Sequence, residues 1–177
     1  MFLQRLLRPG PAKASGQRLY AATVAAAREP SLYAELGAPD TPDGRFEVYT
    51  LHVLLVLQRL RAAGPKAAGV AQAYFDAYLS GLDHGLRELA VGDLSVGRTM
   101  RRLGEAFYGR GKSLDAALAA LPDEAPLADF IARTVFSSAP GAKPRPLAGR
   151  LLRLRSDLAQ TPVETLLAGA LPWSGQL

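Results

Sequence analysis

Two histidines, no cysteine and a scatter of carboxylates limit the chemistry open to this chain. Without cysteine there is no disulfide, no cysteine–zinc site and no thiol nucleophile. His52 and His84 are too few for a histidine-rich metal site. Glu47, Asp76, Asp83 and Glu105 are the acids a carboxylate metal centre would draw on, yet a ferritin-like centre wants Glu three residues before His, and neither histidine has one. No P-loop, dinucleotide-binding glycine pattern, nucleophile elbow or zinc-protease motif occurs. Gly109-Arg110-Gly111-Lys112-Ser113 is similar to the end of a P-loop but lacks its upstream glycine and buried strand. His52 sits inside an apolar run and is expected to be a buried neutral imidazole held by one or two hydrogen bonds. A catalytic base needs a donor within hydrogen-bond reach, and the sequence nominates none; His84, beside Asp83 and Gly85, is expected at the periphery.

The arginines are more informative. Arg45 and Glu47 open a helix, where the dipole favours Glu47 and disfavours Arg45. A carboxylate from another element (Asp76, Asp83 or Asp93) is therefore expected to hold Arg45, either as a structural ion pair or as part of a docking surface. Arg98, Arg101 and Arg102, with Tyr108 and Arg110 a turn or more on, form a basic face for a partner or for solvent. Nothing in it has the donor arrangement needed to read base edges.

The element that positions these residues is the stretch Asp43 to Arg61, DGRFEVYTLHVLLVLQRLR. Phe46, Tyr49, Val53, Leu57 and Leu60 recur on one helical face, while Leu51, Leu54, Leu55 and Val56 fill much of the rest. A helix apolar on most sides must be covered on most sides. His52, Gln58 and Arg59 interrupt it too early for a membrane span. Asp43 is the expected cap.

Around it the spacing predicts a helix from Ser15 to Arg28, a helical turn over 31–36, and a second long helix from Pro65 to about Leu89 with the stripe Phe75, Tyr78, Leu79, Leu82, Leu86, Leu89. Asp83 and Arg87 stand at pairing distance on it. Ser95 is expected to cap a helix ending at Tyr108, with Gly109 to Lys112 as the stop before a separate short helix over 113–121. Leu127, Phe130, Ile131 and Val135 mark a further helix, and SSAPGAKPRP a flexible or extended link. Leu147, Leu151, Leu154 and Leu158 give the cleanest stripe, and Thr161-Pro162-Val163-Glu164 reads as a capping box. MFLQRLLR makes two amphipathic turns, either a frayed end or a weak membrane-surface contact. The fold class is all-α: one compact helical domain over 1–177 of about six to eight helices around a central apolar helix, with a short N-terminal arm (1–13) and a C-terminal tail (169–177).

The formal net charge of +5 sits at the ends, with five bases against Glu29 in residues 1–30 and five against Asp157 and Glu164 in residues 140–177. Such ends suit an anionic lipid surface, ribosomal RNA, an acidic partner or plain solvation.

AREPSLYAELGAPDTPDGRFEVYTLHVLLVLQRL (27–60), AQAYFDAYLSGLDHGLRELAVGDLSVGRTMRRLGEAFYGR (71–110) and LDAAL (114–118) resemble the ubiquinol–cytochrome c chaperone family across about residues 18–135. The combination of DGRFE, LHVLLVL, VGDLSVG and AFYGR is far more specific than any one of them. The resemblance implies an all-helical, non-enzymatic protein without cofactor, acting in assembly of cytochrome b and the cytochrome bc1 complex. Mitochondrial members work with a small partner protein, near the ribosomal exit, on newly made cytochrome b. Implied partners are thus immature cytochrome b, the ribosome, an anionic membrane surface, and a small partner protein or a second copy. The family's segments fall on Asp43–Glu47, Leu51-His52, Ala90–Gly97 and Ala106–Arg110. Exposed members of the set Arg45, Glu47, Asp83, Asp93, Arg98, Arg102, Tyr108 and Arg110 are expected to carry partner specificity. His84 and the GKSLD run depart from the family pattern, which bears on the mitochondrial partner surface. The cysteine-free chain with its short amphipathic start fits a bacterial cytoplasmic member, peripheral at the inner membrane. Two other classes stay open: a membrane- or ribosome-associated adaptor, and a small-ligand protein or enzyme with a carboxylate and His52 pocket.

Overall fold

The computed structural model describes residues 10–88, 93–137 and 139–173. These form eight α-helices and one 3₁₀ turn: α1 (Pro11–Ala27), α2 (Pro30–Ala34), α3 (Pro42–Ala62), the turn Pro65–Ala67, α4 (Ala68–Glu88), α5 (Asp93–Ala119), α6 (Ala125–Thr134), α7 (Pro144–Gln160) and α8 (Val163–Leu167). No strand occurs among the described residues.

Proline, more than side-chain capping, sets where the helices begin. It stands at the first or second position of α1, α2, α3, α6 and α7 and of the 3₁₀ turn, where its fixed φ suits a helix and its missing N–H costs nothing. The expected caps yield to this. Thr41, not Asp43, caps α3: its Oγ1 accepts from the Gly44 N–H at 3.1 Å, with Pro42 next and Asp43 inside the first turn. Ser15 is buried within α1, and Ser95 lies inside α5. The capping box at Thr161 does not form, because that residue's N–H and hydroxyl both turn back to the Asp157 carbonyl.

Helix α3 is buried at twelve positions, including Val48, Leu51 and the run Val53 to Leu57, so it has almost no solvent face. α1, α4 and α7 pack along it, and Leu54 reaches the α5 backbone at Gly111. α7 presents Leu147, Leu151, Leu154 and Leu158 to the same core as expected.

α5 corrects the sequence reading. It runs unbroken through Gly109 and Gly111 to Ala119, joining what were expected to be two helices. Each interior glycine costs about 1 kcal/mol. Phe107, Leu114 and Ala117 are all buried in one core, and burying a Phe or Leu returns about 1.5–3 kcal/mol each. Packing wins.

α4 is rotated from its expected face. Val70, Tyr74 and Tyr78 are buried, while Phe75, Leu79 and Leu82 are only half-buried. The cause is its close contact with α1. The two helices run in the same direction, with Ala12 opposite Gly69 and Gly16 opposite Ala73 and Tyr74. Tyr74 then completes a buried chain: Thr23 donates its hydroxyl to the Leu19 carbonyl at 2.8 Å and accepts from the Tyr74 hydroxyl at 2.9 Å.

Residues 11–13 of the expected arm belong to α1, and Leu171 and Trp173 of the expected tail lie on the core. MFLQRLLR, Leu89 and residues 174–177 lie outside the described residues.

A Cβ at position 16 would stand 2.6–2.7 Å from backbone and Cβ atoms of α4, which cannot give way as a side-chain tip can. Gly16→Ala is expected to lower stability by about 2 kcal/mol despite its better helix propensity. Gly85→Ala on α4 meets nothing within 4 Å and is expected to raise it by about 0.5–1 kcal/mol. Urea unfolding of the two variants checks the pair of signs.

Candidate interaction surface

The segments DGRFE and AFYGR, far apart in sequence, meet through one ion pair. Arg110 on α5 grips the Glu47 carboxylate on α3 through Nε and Nη2, one donor to each oxygen. Glu47 is buried, Arg110 is half-buried, and the guanidinium also lies 6.0 Å from the Phe46 ring centre. Bidentate pairing of a planar guanidinium with a carboxylate fixes orientation as well as charge. The pair walls a polar cleft of about 540 Å³ completed by Thr41, Asp43, Arg133 and Ser137.

From this anchor α5 continues with two unlike sides. Phe107, Leu114 and Ala117 face the core, and Phe107 packs against Tyr78 at 5.1 Å between ring centres. Arg98, Arg101, Arg102, Glu105, Tyr108 and Lys112 are exposed at helical spacing on the other side. Tyr108 is 65% exposed, the large hydrophobic side chain most open to solvent among the described residues. Its ring stands edge-on to that of its buried neighbour Phe107, at 6.1 Å between centres.

The other expected site residues scatter. Arg45 pairs with Asp40, five residues upstream, and not with Asp76 or Asp83; it also lies over the Tyr33 ring at 5.3 Å. The connector before α3 brings Asp40 beside the first turn, so a local carboxylate answers the dipole mismatch. The Arg45 hydrogen bond holds the Asp40 carboxyl below its ordinary value. Asp83 pairs with Arg87 on its own helix at 2.8 Å, as its spacing predicts. The Asp93 side chain lies outside the described residues. Sequence reasoning missed Asp40, Tyr33 and Arg133: nothing local places Arg133 beside Arg110.

Several bases, at the ends and in α3, are used inside the protein. Arg18 donates to the Ala168 carbonyl at 2.8 Å, closing the C-terminus of α8. Arg59 donates to the Leu158 and Thr161 carbonyls at 2.8 and 2.9 Å, closing α7. Arg150 pairs with Glu29 at 2.8 Å. Arg145, Arg153 and Arg155 remain on the exposed side of α7.

His52 is 1% exposed, and its Nδ1–H donates to the Val48 carbonyl at 2.8 Å. The Trp173 ring stands edge-on to it at 5.9 Å. Burial pushes its pKa down to about 4, so it is neutral at physiological pH. It does not line the cleft at Glu47. Among the described residues, no three His, Asp or Glu side chains are grouped to hold a metal ion, and no helix is long and apolar enough to cross a membrane.

The family described as Ubiquinol-cytochrome C chaperone matches residues 34–173, which takes in α7 and α8, beyond the reach of the sequence resemblance. The crystal structure of the Cbp3 homolog from Brucella abortus is similar to this chain with 36% sequence identity and a TM-score of 0.82, covering 97% of this chain and 95% of that one. Among curated proteins none matches.

Arg110→Met leaves the Glu47 carboxylate buried without its partner and is expected to cost about 2–3 kcal/mol in urea unfolding. The double variant with Glu47→Leu should recover part of that loss. His52 adds a pH dependence of known sign. Its folded pKa lies below the ordinary 6.5, so the unfolded chain binds the proton more readily. Its contribution is intact above pH 6.5 and is lost as pH falls toward 4, by about 3 kcal/mol in all. His52→Leu is expected to flatten that slope in unfolding curves taken between pH 7 and 4.

Proposed function

Because the chain belongs to the ubiquinol–cytochrome C chaperone family, we propose that it is a non-enzymatic assembly chaperone that binds immature cytochrome b on its way into the bc1 complex, using the exposed side of α5 as its recognition face. The observation that carries this reading is Tyr108, an exposed aromatic next to buried Phe107 on a helix whose solvent side also carries Arg98, Arg101, Arg102 and Lys112. Tyrosine and arginine are the side chains most enriched at binding hot spots, because they give large contact area with few torsions and directional donors. A helix whose other side is fixed in a core presents them at little conformational cost.

The work is stoichiometric. The chaperone covers a patch of the unassembled subunit and leaves when a later subunit or haem takes its place. Glu47 and Arg110 hold α5 against α3 and do not themselves contact the client; Arg45 and Asp83, each paired, frame neighbouring surfaces. The outward arginines of α7, Arg145, Arg153 and Arg155, suit a peripheral position at the inner membrane of a bacterium or beside the ribosomal exit. A small partner protein or a second copy would add to the same surface.

A photo-crosslinking residue at position 108 is expected to capture cytochrome b in cells making the bc1 complex, while one at exposed Ser156 captures much less. Arg98→Glu with Arg102→Glu is expected to cut the capture at 108 at least tenfold without moving the unfolding midpoint. Normal bc1 assembly after deletion of the gene, together with no capture at either position, would overturn the proposal.

A further inference from the structure

The solvent side of α5 carries Arg98, Arg101, Arg102, Glu105, Tyr108 and Lys112, all exposed. At about 3.6 residues per turn these six fall within an arc of roughly 120° and extend over about 21 Å of helix. Four are bases and one is an acid, and among the described residues none of them makes an ion pair. Arg45, Arg87, Arg110 and Arg150, by contrast, each have a carboxylate. Arg98 also stands three and four positions before Arg101 and Arg102, the spacing at which like charges repel on a helix. The core side of α5 needs none of this, since Phe107, Leu114 and Ala117 fix it. A self-repelling row that no carboxylate answers among the described residues points to an acid on a partner.

We propose that this row grips an acidic, water-exposed segment of the client and not an apolar membrane-spanning stretch, an inference that rests on the chaperone reading above. The row's length sets the size of that segment, about seven residues if extended or about fourteen if helical. Guanidinium groups pair with carboxylates through two parallel donors, which gives direction as well as charge. Neighbouring bases lie about 5–6 Å apart, inside the Debye length of about 8 Å at physiological salt, so their fields add and steer an acidic partner. Tyr108 is the one large hydrophobic side chain in the row. A span of about 20 apolar residues would strip water from the arginines and give them no acceptor in return. Glu105 decides among anions. It stands in the middle of the row, between Arg102 and Tyr108. A phosphate backbone or a sheet of lipid headgroups would press negative charge against it, whereas a polypeptide can place a neutral or basic residue there.

Proteolysis and mass spectrometry of cytochrome b captured by a photo-crosslinking residue at position 108 locate the bound segment. The crosslinked peptide is expected to lie outside the membrane-spanning stretches and to carry at least three Asp or Glu within about fourteen residues. Arg101→Glu is expected to cut capture at least tenfold with the unfolding midpoint in place, and changing one of the mapped acids to Lys should restore most of it. Arg61→Glu, at an exposed base near the end of α3, should leave capture unchanged. Capture through an apolar membrane-spanning stretch, or no rescue by Lys at any mapped acid, would overturn this inference and leave the chaperone reading standing. RNA or phospholipid captured at 108 in place of a protein would overturn both.

Discussion

A helix with no dry partner on one side can sit at a surface; α3 has no such freedom. With Val48, Leu51, Val53 to Leu57 and Leu60 all buried, it must be enclosed, and the rest of the chain is arranged to enclose it. α1 and α4 cover one flank, α7 another, and α5 closes over Leu54. The arrangement of this shell follows from bulk. Where α1 and α4 also pack on each other, small residues let their backbones approach, and Tyr74 and Tyr78 swing inward to fill the space above α3. The recognition surface is then what remains on the outside of a helix whose inside is committed.

Arginine does two separate jobs in this shell. Arg18, Arg59 and Arg110 are fastened to carbonyls or a carboxylate from distant parts of the chain, so their charge holds elements together. A guanidinium suits this role because its fixed fork of donors can answer two acceptors at once, and at a helix C-terminus it meets a favourable dipole. Arg98, Arg101 and Arg102 stay in solvent. A count of bases along the sequence merges these populations, and only the second is available to a partner.

What could be read from the sequence was set by the range of the interaction. The enclosure of α3, the stripe of α7, the burial of His52 and the Asp83–Arg87 pair all follow from spacing within one helix, and the structure has each of them. The continuity of α5 was hidden because glycine's local penalty is visible in sequence and the packing of Phe107 and Leu114 that outweighs it is not. The Glu47–Arg110 pair joins residues 63 positions apart, and no local rule selects Arg110 over its neighbours. Arg45 was hidden for a different reason: its partner was sought across the fold and stood five residues away. The expected caps failed because Ser15, Asp43 and Ser95 were judged by residue type, while proline was already fixing where most of these helices start.

The carbonyls that Arg18 and Arg59 hold belong to Leu158, Thr161 and Ala168, close to the end of the chain. α7, Leu166 and Leu171 lie in the same core as α3. During synthesis the most apolar helix is therefore made early and covered late. Until α7 clears the ribosome, α3 has one flank open to solvent, and the nascent protein is itself a molecule with an uncovered apolar surface. A factor that shields the unfinished state of another protein thus passes through such a state of its own, and closes it only once α7 has emerged.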